Sequence, residues 1–282
     1  MRHFITLFLI TSVSAPVWAE GSPWLPVPRS GSLSVSHVYQ DAEKFYRGKD
    51  RRRLPFGGIE QSTTWVTLNY GLAESVALDV QGGHSEVEAD NGMESDGMTD
   101  TTIGLTWRVI DEDISEAGAP SVAVRVAGII AGDYDTGMPW SIGDGGDGFE
   151  GSLIVGKIFD NRFALSAEVG RRERNSNVPG ETFLNAAAYF LASPKLSLSA
   201  RYHKTMSDGD LDIGGYGFSP ARFPETDEDI DRVALGGSFN LTDQISLGLN
   251  WFSILDGRNT ADFDAILGTI TYTFDLYNLG GQ

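Results

Sequence analysis

Apolar and polar residues alternate with a period of two along nearly the whole chain. Val66, Leu68 and Tyr70 alternate with Trp65, Thr67 and Asn69, and Leu196, Leu198 and Ala200 with Ser197, Ser199, Arg201 and His203. The same rhythm runs through Ile103 to Val109, Phe163 to Val169, Val233 to Phe239 and Ile245 to Trp251. A period of two places successive side chains on opposite faces of a strand. Each strand therefore has one apolar face and one face of small or polar residues. Twelve strands are predicted, near 33–43, 58–71, 75–86, 99–110, 120–131, 149–158, 163–173, 182–192, 196–206, 229–240, 244–255 and 262–274. The face parity of the first is unclear.

The connectors narrow the class. Short ones, at Leu72 to Glu74, Asp160 to Arg162, Ser193 to Lys195 and Leu241 to Asp243, and a longer acidic one at Asp111 to Gly118, alternate with long Gly- and Asp-rich segments. Alternating short and long connections, an even strand count and strands of about 9–11 residues are the signature of a transmembrane β-barrel. A secreted β-sandwich also alternates, but it would carry Lys and Glu on its polar face, where this chain has Gly, Ser, Thr and Ala. The expected fold is thus all-β: a single transmembrane antiparallel up-and-down barrel of about 12 strands. Tyr70, Trp107, Phe190, Phe239, Tyr272 and Phe274 fall near the short-turn ends, where an aromatic girdle belongs.

Composition fits this reading. Half of every strand facing lipid accounts for 41% hydrophobic residues without any long apolar run. The absence of Cys excludes disulfides and thiol chemistry, and a net charge of -18 argues against nucleic acid as a partner. Residues 1–19 have the layout of a cleaved signal peptide: Arg2 and His3, an apolar stretch from Phe4 to Ile10, and small residues before a cut after Ala19. The expected layout is a signal peptide over 1–19, an N-terminal segment over 20–31 that plugs the lumen from the periplasm, the barrel over 32–274, and a tail over 275–282. Export and barrel together place the protein in a Gram-negative outer membrane.

Several motifs in sequence resemble one family. They are Gly97-Met98-Thr99-Asp100 followed by Ile103 to Trp107; Val126-Ala127-Gly128 leading to Gly132-Asp133-Tyr134-Asp135-Thr136-Gly137; Gly156-Lys157-Ile158-Phe159; Gly170-Arg171-Arg172; and Thr271-Tyr272-Thr273-Phe274. Their order resembles that of the outer-membrane barrels associated with the MetA pathway of phenol degradation. The chain departs from that pattern at Ile130-Ala131-Gly132-Asp133, where a Pro-Thr-Gly-Asp type element is expected. The resemblance implies a transporter of small molecules in an aromatic-compound context. Phe274 resembles the C-terminal aromatic residue that the barrel-assembly machinery reads, although Asp275 to Gln282 follow it.

Strand parity places Asp79, Arg108, Arg125, Glu168, Arg172, Arg201, His203 and Arg232 inside. Five Arg against two acids predict a net basic lumen that attracts anionic solutes. Trp65, Phe183, Tyr189, Phe252 and Phe263 also point inward and offer ring faces to an aromatic or hydrophobic acid. The same residues serve equally as internal ion pairs and space filling in a narrow bore. Acidic loops around Asp133, Asp135, Asp144 and Asp147, around Asp208, Asp210 and Asp212, and over Glu225 to Asp231 read as solvated external loops rather than as metal sites. The basic run Lys44, Arg47, Lys49, Arg51, Arg52 and Arg53 suits lipopolysaccharide phosphates.

No enzyme, cofactor or metal is expected. Of the histidines after the signal, His84 is followed by Ser85 and His203 by Lys204, so no His-x-Ser lies on one strand face. The expected partners are outer-membrane lipid and lipopolysaccharide, the barrel-assembly machinery and a small-molecule solute. Two functions remain: a passive channel, or a non-transporting structural or adhesion barrel whose acidic loops are the working surface.

Overall fold

In a computed structural model, residues 21–276 are described except 117 and 139. The predicted signal peptide and most of the tail lie outside the described residues. Twelve strands cross the barrel: β1 (Ser30–Arg47), β3 (Ile59–Ala73), β4 (Val76–Ala89), β6 (Thr101–Ile110), β7 (Ser121–Ile130), β8 (Gly148–Phe159), β9 (Phe163–Arg174), β10 (Glu181–Ser193), β11 (Leu196–Ser207), β12 (Asp229–Asn240), β13 (Ile245–Arg258) and β14 (Ala261–Asp275). Two short strands, β2 (Asp50–Arg53) and β5 (Glu94–Met98), extend β1 and β4 into the long-loop end.

The twelve barrel strands all pair antiparallel with their neighbours in order, and β14 returns to β1 from Ser30↔Asp275 to Phe45↔Ala261. Closure leaves no unpaired edge, the condition for backbone to lie in hydrocarbon. The short turns follow local chemistry. Asp160 and Asn161, which link β8 to β9, both take positive φ (51° and 55°), the twist a two-residue hairpin needs.

Burial shows which face is which. On β7, Arg125 is 2% exposed while its neighbours Val124 and Val126 are 40% and 57% exposed. A water-soluble sheet would reverse that order. Leu33, Val35, Ile103, Leu105, Leu249 and Ile270 also face outward, forming an apolar belt. Trp107, Phe190, Phe239 and Tyr272 lie on the outer surface near the short-turn end, where Tyr272 stacks on Phe274 and Phe274 on Tyr70.

The parity of β1 resolves with Ser34, Ser36 and Val38 inward and Leu33, Val35 and His37 outward. A register shift between Asp41 and Lys44 then breaks the alternation, which is why the sequence pattern was ambiguous there.

Candidate functional site

At half height the lumen divides into two walls. On one, Val38, Ala234, Phe252, Ala265 and Leu267 form an apolar cluster across β1, β12, β13 and β14, with Trp65 and Phe263 packed against it. On the other, a ladder of ions climbs from β4 to β10. Arg125 donates to Asp79 from Nε (3.0 Å) and Nη2 (2.7 Å) and also reaches Glu150. Arg172 donates from Nε and Nη2 to Glu150 at 3.1 and 3.0 Å and from Nη1 to Glu181 at 3.0 Å. Arg174 donates to Asp100 at 2.8 Å.

A second network lies beside it. Glu168 accepts from Ser152 (2.6 Å), from Asn185 Nδ2 (2.8 Å) and from the backbone N–H of Gly21 (3.1 Å). Asn185 Oδ1 faces His203 Nδ1 at 2.5 Å, and Thr205 Oγ1 lies 2.9 Å from His203 Nε2. With Oδ1 accepting, Nδ1 carries the proton and Nε2 is free to accept from Thr205, as in a neutral imidazole.

The thirteen predicted lining residues lie on the strand faces that carry the buried side chains, in differing surroundings. Arg108 is tied to the short-turn rim by Asp111 (2.7 Å) and the Glu74 carbonyl (3.0 Å). The guanidinium of Arg172 lies over Phe183, that of Arg201 over Tyr189 and that of Arg232 over Phe252, at 5.5, 5.9 and 5.5 Å from the ring centres. Three of the five predicted aromatic faces are thus already occupied. The inward arginines meet more carboxylates than parity placed there. Parity had left out Glu150, Glu181 and Asp100, whose carboxylates pair with Arg125, Arg172 and Arg174. These sit near strand ends, and the inward parity of Glu150 beside Phe149, which is outward, was the signal available for one of them.

Above this level lies a chamber of about 350 Å3. Trp65, Phe263 and Arg172 reach it from the predicted set, joined by Asp144 of the acidic loop and by Phe45 and Trp140, which the sequence did not single out. Its roof is the Gly132 to Gly148 loop, folded inward. Trp140 meets Phe56 edge-on at 5.8 Å, and both Trp140 and Ile142 pack on the cluster of Leu54, Ile59, Val87 and Ala89. Tyr134 ties the loop down, donating to Asp100 at 2.5 Å and accepting from Gly145 N–H at 3.2 Å. Burial and that carboxylate push the Tyr134 hydroxyl's pKa well up, so it remains a donor.

The acidic loops are less solvated than expected. Asp208 pairs with Arg171, Asp212 and Asp227 with Arg258, and Asp144 turns inward. Asp144 and Glu228 both have raised pKa values, from burial first and from neighbouring carboxylates after it.

Below half height, Pro23, Trp24 and Leu25 are buried against the inner wall. Trp24 donates from Nε1 to Glu112 at 2.8 Å and meets Tyr189 edge-on at 6.2 Å. Gly156 makes room for it: a Cβ there would lie 2.6 Å from Pro23 and 2.7 Å from the Trp24 ring.

This architecture has counterparts among solved structures. The COG4313 outer membrane channel from Pseudomonas putida F1 superposes with a TM-score of 0.71 at 13% identity, over 93% of this chain and 100% of that one. The likeness is one of fold. The NanC porin follows with a TM-score of 0.54 at 6% identity, over 86% of this chain and all of the porin. No family model and no curated protein matches the sequence. Among the described residues no three His, Asp or Glu side chains converge to hold a metal ion.

Proposed function

We propose that the protein is a passive outer-membrane channel for small molecules with an apolar, often aromatic, body, related to the barrels of the MetA phenol-degradation pathway. The observation that carries this reading is the chamber: about 350 Å3, open to aromatic side chains on one side and charged groups on the other. Ligand-binding cavities begin at roughly 300 Å3, and the two-sided wall suits a solute that is itself amphipathic. The fold shared with outer-membrane channels supports it. Arg125 and Arg172 are already bound to carboxylates, so neither offers a free guanidinium to an acidic solute.

In this reading solute meets the chamber first and the half-height constriction next. Gly21 to Val27 act as a plug on the periplasmic side, held by Glu168 and Glu112. Passage then requires the plug or the ladder to yield.

One observation favours the competing, non-conducting barrel. Arg125, Ile154, Leu267 and Val38 all point inward near half height and are fully buried, so side chains fill the bore there. Conductance in planar bilayers, with and without residues 20–28, decides between the two. Discrete steps that grow on deletion support the channel; silence from both proteins supports the structural barrel.

A further inference from the structure

We propose that the chamber is a binding site for small organic cations, an ammonium or similar group carried on an apolar, ring-sized body. This rests on reading the chamber as part of the solute path, and it adds the charge of the solute.

The charge count of the walls points that way. Six carboxyl groups line the chamber, Asp41, Asp100, Asp144, Glu150, Glu181 and Glu228, against two guanidiniums, Arg172 and Arg174. Both guanidiniums are already engaged, Arg172 by Glu150 and Glu181 and Arg174 by Asp100. Among the described residues no hydrogen bond or ion pair reaches Asp144, which faces the chamber. An ionised carboxylate in such surroundings is costly unless a cation joins it.

The groups that act on Asp144 are Arg174, which favours its charge, and Glu181, Asp100 and Glu228, which oppose it. The charged form of Glu228 is opposed first by burial and then by Asp144 and Glu181, and is favoured by a hydrogen bond from Thr260 and by Arg174. Both carboxyls therefore hold their protons to higher pH than usual, and a cation entering between them displaces one.

The apolar walls exclude a bare metal ion as the best occupant. Phe45, Leu54, Ile59, Trp65, Trp140 and Phe263 supply ring faces and aliphatic surface instead of ligating oxygens. Aromatic faces attract organic cations through the negative face of the ring quadrupole.

The test is calorimetric titration of the full-length refolded protein with three probes of equal size: benzylammonium, benzyl alcohol and benzoate. The expected order of affinity is benzylammonium above the alcohol above benzoate, with about tenfold between the first and the last. Benzylammonium binding should tighten several-fold from pH 5 to pH 8, where the probe keeps its charge, and should release a proton at the lower end. Asp144→Asn with Glu228→Gln should abolish both the preference and the pH dependence. If that variant misfolds, the pH series on the unaltered protein still stands as the test. Equal affinities for the three probes, a preference for benzoate, or no benzylammonium binding up to roughly 10 mM would overturn the proposal. Binding with a silent bilayer would instead count against conduction alone.

Discussion

The two terminal oxygens of Asp79 accept from Nε and Nη2 of Arg125, at 3.0 and 2.7 Å, inside the barrel wall. A side chain as buried as Arg125 is tolerated only because the acids beside it are present. Asp79→Ala should therefore cost about 3 kcal/mol, seen as unfolding at lower temperature by heat-modified gel migration. Replacing the pair together, Asp79→Leu with Arg125→Met, should recover much of that loss. An unchanged Asp79→Ala protein would mean that the ladder does not hold the barrel.

Gly156 is the point at which the N-terminal segment is dislodged without altering it. A Leu side chain there would occupy the space of Pro23 and the Trp24 ring. Gly156→Leu should raise conductance as deletion of residues 20–28 does, with little effect on barrel stability, because the change lies on the lumen face and leaves strand pairing intact. Conductance equal to that of the parent protein would show that the segment is no obstacle.

The acid pair gives stability a pH dependence of defined sign. Glu228 and Asp144 bind protons more tightly folded than unfolded. Stability is therefore greatest below the ordinary carboxylate range and falls as pH rises through the raised pKa values. Glu228→Gln should match the parent at pH 4.5 and exceed its melting temperature at pH 8.5, by about 3 °C. Parallel curves at both pH values would contradict the shift.

Lys49, Arg52 and Arg53 are exposed at the β1–β2 hairpin, Arg52 with only a solvent-exposed pair to Asp50 at 2.8 Å, whereas Arg51 is held by Asp262 and Arg47 by the carbonyls of Ile213 and Gly214. Of the basic run, these three are the ones available to lipopolysaccharide phosphates. Changing all three to Ser should weaken lipopolysaccharide retention in detergent roughly tenfold or more, while Arg47→Ser should disturb the Asp210 to Gly215 loop instead.

Strand positions were legible because alternation and turn chemistry are local: the Asp160-Asn161 hairpin and the Ser197 to His203 face can be read from neighbours alone. Inward direction was legible for the same reason. Partnership was not. Nothing near Arg125 in sequence announces Glu150, and the pairing of Arg258 with Asp212 and Asp227 joins a strand end to a distant loop. That the Gly132 to Gly148 loop folds over the mouth could be expected from the sequence, but its contact with Leu54, Ile59 and Val87 could not, because that cluster is brought together only by barrel closure. The arginines could be placed by parity, whereas several of the acids that pair with them lie at strand ends or in loops.

The central claim is that this barrel conducts. Its most direct test is single-channel recording of the refolded full-length protein and of the form lacking residues 20–28, in the same planar bilayers. The account predicts discrete steps, larger in the shortened protein, and a reversal potential favouring cations above pH 8 that relaxes towards neutrality at pH 5. Silence from both forms, with folding verified, would contradict it.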